Sequence, residues 1–323
     1  MSTDFGGLYD ALSAIARGTV ERSYPLARFT TYRLGGPAEI YVEPAGLDDL
    51  IALSTKLREL DPTGAIPLLV LGRGSNLVIS DAGWPGIAMR LGQPFAGLDP
   101  RDDDPASFDV GAGKPLPLVA NWSARRELSG MEWGVGVPGS IGGAVRMNAG
   151  AHGTDLAATL VQATVLSLDN CEVAARTSEQ LDLSYRHSNL TDREIVVSAR
   201  LKLTPEPREA IRARMESFRK HRAATQPGAL QNAGSTFKNP QGDSAGRLVE
   251  ATGLKGWRVG GASVSKVHAN FFMAGDTATA QDVFDLIHDV RRKVNDAFGV
   301  ELTPEVRFAG PFADRAAEAS RHE

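Results

Sequence analysis

Ile66-Pro67-Leu68-Leu69-Val70-Leu71-Gly72-Arg73-Gly74-Ser75-Asn76 runs from a short apolar segment straight into a glycine-rich turn. The apolar run is bounded by proline and glycine and has the length and make-up of a buried strand. Glycines just beyond such a strand let the backbone turn with several N–H groups on one side, which binds pyrophosphate oxygens without a lysine. A tight structural turn fits the same residues, so this segment alone leaves both readings open. On the ligand reading, Gly74 is expected to serve the approach of a cofactor more than the stability of the fold. Upstream, Leu47, Leu50, Ile51, Leu57 and Leu60 recur at helical spacing, with Asp48 and Asp49 in the first turn where the helix dipole favours acids. The order is therefore helix, strand, glycine turn.

Downstream, the stretch from Gly130 to Gly153 is so dense in glycine that it reads as a structured loop region with no regular element. Gly134-Val135-Gly136-Val137-Pro138-Gly139 formally matches the G-x-G-x-x-G dinucleotide pattern. That pattern needs a strand before it and a helix opening inside it, and Met131-Glu132-Trp133 supplies no such strand. What the stretch offers is a run of small residues, Pro138-Gly139-Ser140-Ile141-Gly142-Gly143 and Asn148-Ala149-Gly150, that a flat ring can approach closely; a glycine-rich turn array is the alternative.

Val161–Leu168 and Ile195–Leu203 read as strands, and Pro205 and Pro207 close that half of the chain. Arg208–Arg222 is a charged helical pattern opened by Pro207. Thr279–Phe298 carries one apolar face, with Thr279 as N-cap and Gly299 as stop. These elements predict an α+β protein divided as an N-terminal helix or extension over 1–22, a first domain over 23–203, a second over 204–312 and a flexible tail over 313–323.

The 323 residues hold 42% apolar and 23% charged side chains, ordinary for globular domains, and no apolar run long enough to span a bilayer. The first twenty residues lack the basic start and apolar core of a signal peptide, so a cytoplasmic protein is expected. One cysteine, Cys171, provides neither a disulfide nor a thiolate zinc site, and no metal is expected. A net charge of −4 gives no general attraction for nucleic acid, so an anionic small ligand needs a local basic site.

Three more segments hold reactive residue types. Tyr185-Arg186-His187-Ser188 precedes the last strand of the first half, and taken alone its arginine is an ordinary solvated group. Asn232-Ala233-Gly234-Ser235-Thr236-Phe237-Lys238-Asn239-Pro240 crowds small and polar residues around one serine. It contains no G-x-S-x-G elbow, which disfavours a hydrolase nucleophile but leaves a proton-donating hydroxyl open. Leu302-Thr303-Pro304-Glu305-Val306-Arg307-Phe308 is extended, with Glu305 and Arg307 on one face at strand spacing.

In this order the five segments resemble the UDP-N-acetylenolpyruvoylglucosamine reductase family, from about Phe29 to Phe308. Thr31-Tyr32-Arg33-Leu34-Gly35-Gly36, Leu254-Lys255-Gly256 and Gly260-Gly261-Ala262 fit it as well. The resemblance implies an FAD-binding domain of the vanillyl-alcohol oxidase and p-cresol methylhydroxylase type, followed by a smaller α+β substrate domain. It places noncovalent FAD against Leu71, Gly72, Arg73, Gly74, Ser75 and Asn76, and against Pro138, Gly139, Ile141, Gly142, Gly143, Asn148, Gly150 and Gly153. Arg186, Ser235 and Glu305 match the three catalytic positions, and Tyr185, Asn239, His268 and Arg307 the substrate contacts. Leu203 is followed at once by Thr204-Pro205 and the charged helix, as in the shorter second type of the family. Thr225-Gln226-Pro227-Gly228 has no lysine where the longer type does.

The implied activity is NADPH-dependent reduction of a nucleotide-sugar enolpyruvyl ether by a monomer, with hydride from the reduced flavin. Arg186 would stabilise the charge left beside the carboxylate, Ser235 would give the proton, and Glu305 would order the donor. A flavin oxidase of an alcohol or sugar, and a catalytically silent nucleotide-sugar sensor, are the competing readings.

Overall fold

The computed structural model describes residues 4–228 and 231–313, and the expected tail over 313–323 lies almost wholly outside them. Its described part divides into two compact units. The first holds the residues up to Tyr24, Glu39–Arg73 and Gly86–Arg222; the second holds Pro25–Ala38, Gly74–Pro85 and the chain from Ala223 on.

In the first unit, strands Thr19–Pro25, Pro37–Glu43, Trp84–Arg90 and Leu68–Leu71 form a sheet in that order, with the last two parallel. A second, wholly antiparallel sheet has the order Val173–Thr177, Leu160–Ser167, Glu194–Lys202, Ser107–Gly111, Leu98–Pro100. Helices Leu47–Leu60, Leu116–Arg125, Ile141–Met147 and Arg208–Thr225 accompany these sheets. Asp49 does more than meet the helix dipole: it is 1% exposed and its carboxylate accepts the backbone N–H groups of Arg17, Gly18 and Ala45 at 2.8–2.9 Å.

Two expectations change here. The glycine stretch does contain a regular element, the seven-residue helix Ile141–Met147. At Gly142 the fold leaves little room for a side chain: Gly142 N donates to Ala112 O at 2.8 Å, and a Cβ on Gly142 would lie 3.0 Å from that of Ala112. The division of the chain also differs from a break near residue 204. Helix Arg208–Thr225 buries Ile211 and Met215 in the first core, and Arg214 bonds to Glu132 and Ser129 there.

The second unit is built on helix Ala280–Phe298, whose Val283, Leu286, Ile287, Val290 and Val294 are fully buried. A three-stranded antiparallel sheet, Arg258–Val259, Ala262–Val264 and Phe272–Ala274, covers it together with helix Ala245–Ala251. Tyr32 and Val78 come from early in the chain yet belong to this core, and strand Leu77–Ile79 runs parallel to Arg307–Ala309.

Candidate active site

Within the first unit the two glycine-bearing stretches expected to hold a cofactor meet. Arg73 Nε donates to the Pro138 carbonyl at 2.8 Å, and a Cβ on Gly72 would lie 2.6 Å from Ser140 Oγ. Gly72, Arg73 and Gly143 are exposed, whereas Leu71 and Ile141 are buried beneath the stretches they belong to. The result is bare backbone, close-packed from behind, at the end of strand Leu68–Leu71 and the start of helix Ile141–Met147. Such backbone suits the pyrophosphate and flat ring of FAD, which need close approach to main-chain N–H groups.

Arg186 sits against the continuation of that stretch. Ser184 and His187 exchange backbone hydrogen bonds at 3.1–3.2 Å, which leaves Tyr185 and Arg186 at the tip of a tight turn. Arg186 takes φ = 55°, a left-handed conformation that costs a non-glycine residue energy and is favoured where function fixes it. Its guanidinium donates to the Gly150 carbonyl at 2.8 Å and lies 5.2 Å from the Tyr185 ring centroid.

Asn148, 1% exposed, ties this turn down: its amide donates to Ser184 O and to Asp155, both at 3.0 Å. Gly150 pairs with Asp155 and Ala151 with Thr154, so His152 and Gly153, at φ = 57° and 82°, form a two-residue hairpin turn. Gly153 thus has a conformational reason to be glycine. The His152 ring stacks on Phe218 at 4.0 Å, and burial, followed by nearby Arg222 and His221, holds its pKa below the usual value.

In the second unit Gly74 is forced by the fold. It has φ = 56°, and a Cβ there would fall 2.0 Å from the Phe29 carbonyl oxygen, which corrects the expectation that its main service is to the cofactor. Asn76 likewise works within the protein: its amide donates to Glu305 O and its carbonyl accepts from Arg307 N, each at 2.9 Å. The half-buried Ser75 lies between them.

Ser235 and Glu305 are brought onto adjoining segments. Ser235 bridges Phe271, Phe237 bridges Pro304, and Glu305 N donates to Thr236 O at 2.8 Å. Ser235 and Glu305 are both half-buried. Burial alternates along the last segment, with Val306 at 4% and Arg307 exposed, as an extended reading requires. The element that holds Ser235 in place is Asn270, 3% exposed. Its carbonyl accepts Thr236 N, its side-chain oxygen accepts Phe237 N, and its amide donates back to Phe237 O, at 2.8–2.9 Å. Nothing in the sequence singled it out, because the bonds are to backbone in a segment more than thirty residues away.

Asn239 and His268 converge on the start of helix Ala245–Ala251. The Asn239 side chain accepts Ala245 N at 3.1 Å, and a Cβ on Gly246 would lie 3.2 Å from His268 Cε1. Burial, and next the charge of Lys255, keep the His268 pKa low, and its Nδ1 accepts Asn270 N at 3.2 Å. The ring is therefore neutral near pH 7. Among the described residues no group of His, Cys, Asp and Glu could hold a metal ion, and no helix is long and apolar enough to cross a membrane.

An FAD binding domain family matches residues 38–174, and the UDP-N-acetylenolpyruvoylglucosamine reductase C-terminal domain family matches 226–309. A UDP-N-acetylenolpyruvoylglucosamine reductase of Synechocystis sp. is 44% identical over 308 residues, 94% of this chain and 95% of that protein. The chain belongs to the UDP-N-acetylenolpyruvoylglucosamine reductase family. The Bacillus subtilis member is 38% identical, covering 91% of this chain and 95% of its own. The crystal structure of the Thermus caldophilus reductase superposes with a TM-score of 0.78 at 36% identity, over 91% of this chain and all of that one. Membership accounts for the α+β pair of an FAD-binding domain and a reductase C-terminal domain.

Proposed function

We propose that the chain is the flavoenzyme that reduces UDP-N-acetylglucosamine enolpyruvate to UDP-N-acetylmuramate in peptidoglycan synthesis. Family membership supports the reaction, and one structural observation supports the choice of Ser235 as its proton donor with Glu305 behind it. Ser235 and Glu305, far apart in sequence, lie on segments joined by the Glu305 N to Thr236 O hydrogen bond.

FAD would be held noncovalently, with Gly72, Gly139 and Gly143 offering bare backbone beside Arg73 and Pro138, and would supply the hydride for the enolpyruvyl group. The residues of the chain do the rest. Arg186 holds the carboxylate oxygens as negative charge builds beside them, an electrostatic stabilisation that the Gly150 carbonyl pre-orients. Ser235 delivers the proton to the adjacent carbon, and Glu305 orders the donor. Serine is a weak acid, so it serves only against a strongly basic carbanion-like centre, which this reaction provides. Tyr185, Asn239, His268 and Arg307 contact the substrate, and neutral His268 acts as a hydrogen-bonding group without charge. NADPH is the reductant that recharges the flavin. The reading describes a cytoplasmic monomer acting on a nucleotide sugar, with no nucleic-acid or membrane partner.

Purified protein should show oxidised-flavin absorption bands, and acid precipitation should release all of the colour. It should consume NADPH only when the enolpyruvyl substrate is present. Oxygen consumption on an alcohol or sugar without NADPH would replace this reading with the oxidase, and bound flavin with no turnover would replace it with the sensor.

A further inference from the structure

Away from the residues assigned above, the first unit has a cleft of about 640 Å³ between helix Leu116–Arg125 and helix Arg208–Thr225. Leu118, Asn121 and Arg125 face it from the first helix at spacings of three and four residues. Arg212, Met215, Glu216 and Arg219 face it from the second at the same spacings. Each helix thus turns one whole stripe toward the cleft.

The floor is apolar, with Ala124 and Met215 buried at 3% and 2%, and Leu118 stands 52% exposed at its edge. The rim is basic. Arg219 already donates to Asn121 across the cleft at 3.3 Å and lies 3.8 Å from Glu216. Arg125 and Arg212 are exposed and make no ion pair or hydrogen bond among the described residues. In a chain of net charge −4, two uncompensated guanidinium groups over an apolar floor are a local reversal of charge.

We propose that this cleft is a second ligand site, for a nucleoside phosphate whose phosphate pairs with the exposed Arg125 and Arg212 and whose base packs against the exposed Leu118 at the edge of the cleft. The volume falls within the range of roughly 300–1,000 Å³ typical of small-molecule pockets. Guanidinium groups bind phosphate oxygens bidentately, and an exposed leucine beside them gives an organic phosphate an advantage over inorganic phosphate.

Isothermal titration of the FAD-loaded full chain with ADP, inorganic phosphate and adenosine tests this. ADP is expected to bind more tightly than either fragment, and more weakly as salt is raised. Arg125→Glu combined with Arg212→Glu should weaken ADP by at least about tenfold, the loss of one charge-assisted contact or more, with flavin content and melting temperature kept. Arg212→Gln alone should give a smaller loss in the same direction. Ser235→Ala should leave ADP affinity unchanged, which separates this cleft from the proposed reaction site. ADP affinity unaltered by the double substitution, inorganic phosphate as tight as ADP, or no ADP binding at millimolar concentration would each overturn the proposal.

Discussion

At Ser235 the chemistry divides into a half that needs a proton and a half that does not. In Ser235→Ala, bleaching of the flavin by NADPH should stay within a few-fold of the parent. Reoxidation by the enolpyruvyl substrate should slow by the roughly 10²- to 10⁴-fold typical of a general acid. Stopped-flow absorbance reads the two halves separately; equal slowing of both would mean a damaged site, and normal reoxidation would remove Ser235 from the reaction. The glycines of the Gly72–Asn76 turn divide in another way. A side chain on Gly72 meets only the Ser140 hydroxyl, whereas one on Gly74 meets the Phe29 backbone at φ = 56°. Gly72→Val should therefore lower FAD affinity with little change in apo-protein melting temperature, and Gly74→Val should cost about 1–3 kcal/mol of stability. A flavin-replete Gly72→Val after dialysis would show that the turn does not hold the cofactor.

Helix Ala280–Phe298 is the element most completely announced by its sequence. Its apolar stripe, Thr279 and Gly299 are all local signals, and the structure has Thr279 accepting Asp282 N at 3.0 Å and Gly299 at φ = 66°. What no local pattern shows is that Asp81 accepts Ala280 N and Gln281 N at 3.0 and 3.1 Å from about two hundred residues upstream. Asp81→Ala should cost about 0.5–2 kcal/mol, a range ordinary for a lost N-cap, in denaturant unfolding. No change would mean that Thr279 alone satisfies the helix start. Helix Ile141–Met147 is hidden for a related reason, since Gly142 is set by its contact with Ala112, some thirty residues upstream, and not by helix propensity.

Helix Arg208–Thr225 is pinned by Glu132, whose carboxylate accepts from Arg214, Ser129 and Gly130 N at 2.6–2.9 Å. Burial pushes the Glu132 pKa up, but these hydrogen bonds outweigh it and hold the group below its usual value. A carboxylate depressed in the folded state stabilises fully above its unfolded pKa of about 4.3 and loses that contribution as pH falls through the lower folded value. Glu132→Gln should thus lose about 1–3 kcal/mol at pH 7. The gap to the parent should close in acid; a gap constant down to pH 3 would assign the loss to packing.

On the scale of the molecule, residue types and their order suffice for the family, because short motifs survive as strings. They do not suffice for how the chain is shared between units. A linear reading places a break near residue 204, yet Ile211 and Met215 belong to the first core, and Tyr32 and Val78 to the second. Those memberships are set by contacts that sequence periodicity cannot register. The consequence can be tested with a fragment. A chain of residues 204–323 would lack strand Leu77–Ile79, the parallel partner of Arg307–Ala309. It would also lack Asp81 at the helix start and the buried Tyr32, whose hydroxyl donates to Phe272 O at 3.1 Å. With a strand edge unpaired and its core open, this fragment should give no cooperative thermal transition and poorly dispersed amide resonances. Adding back Pro25–Pro85 as a second chain should restore partial order only if those residues complete the core as described. A sharp transition from residues 204–323 alone would show that the second unit folds as one continuous piece.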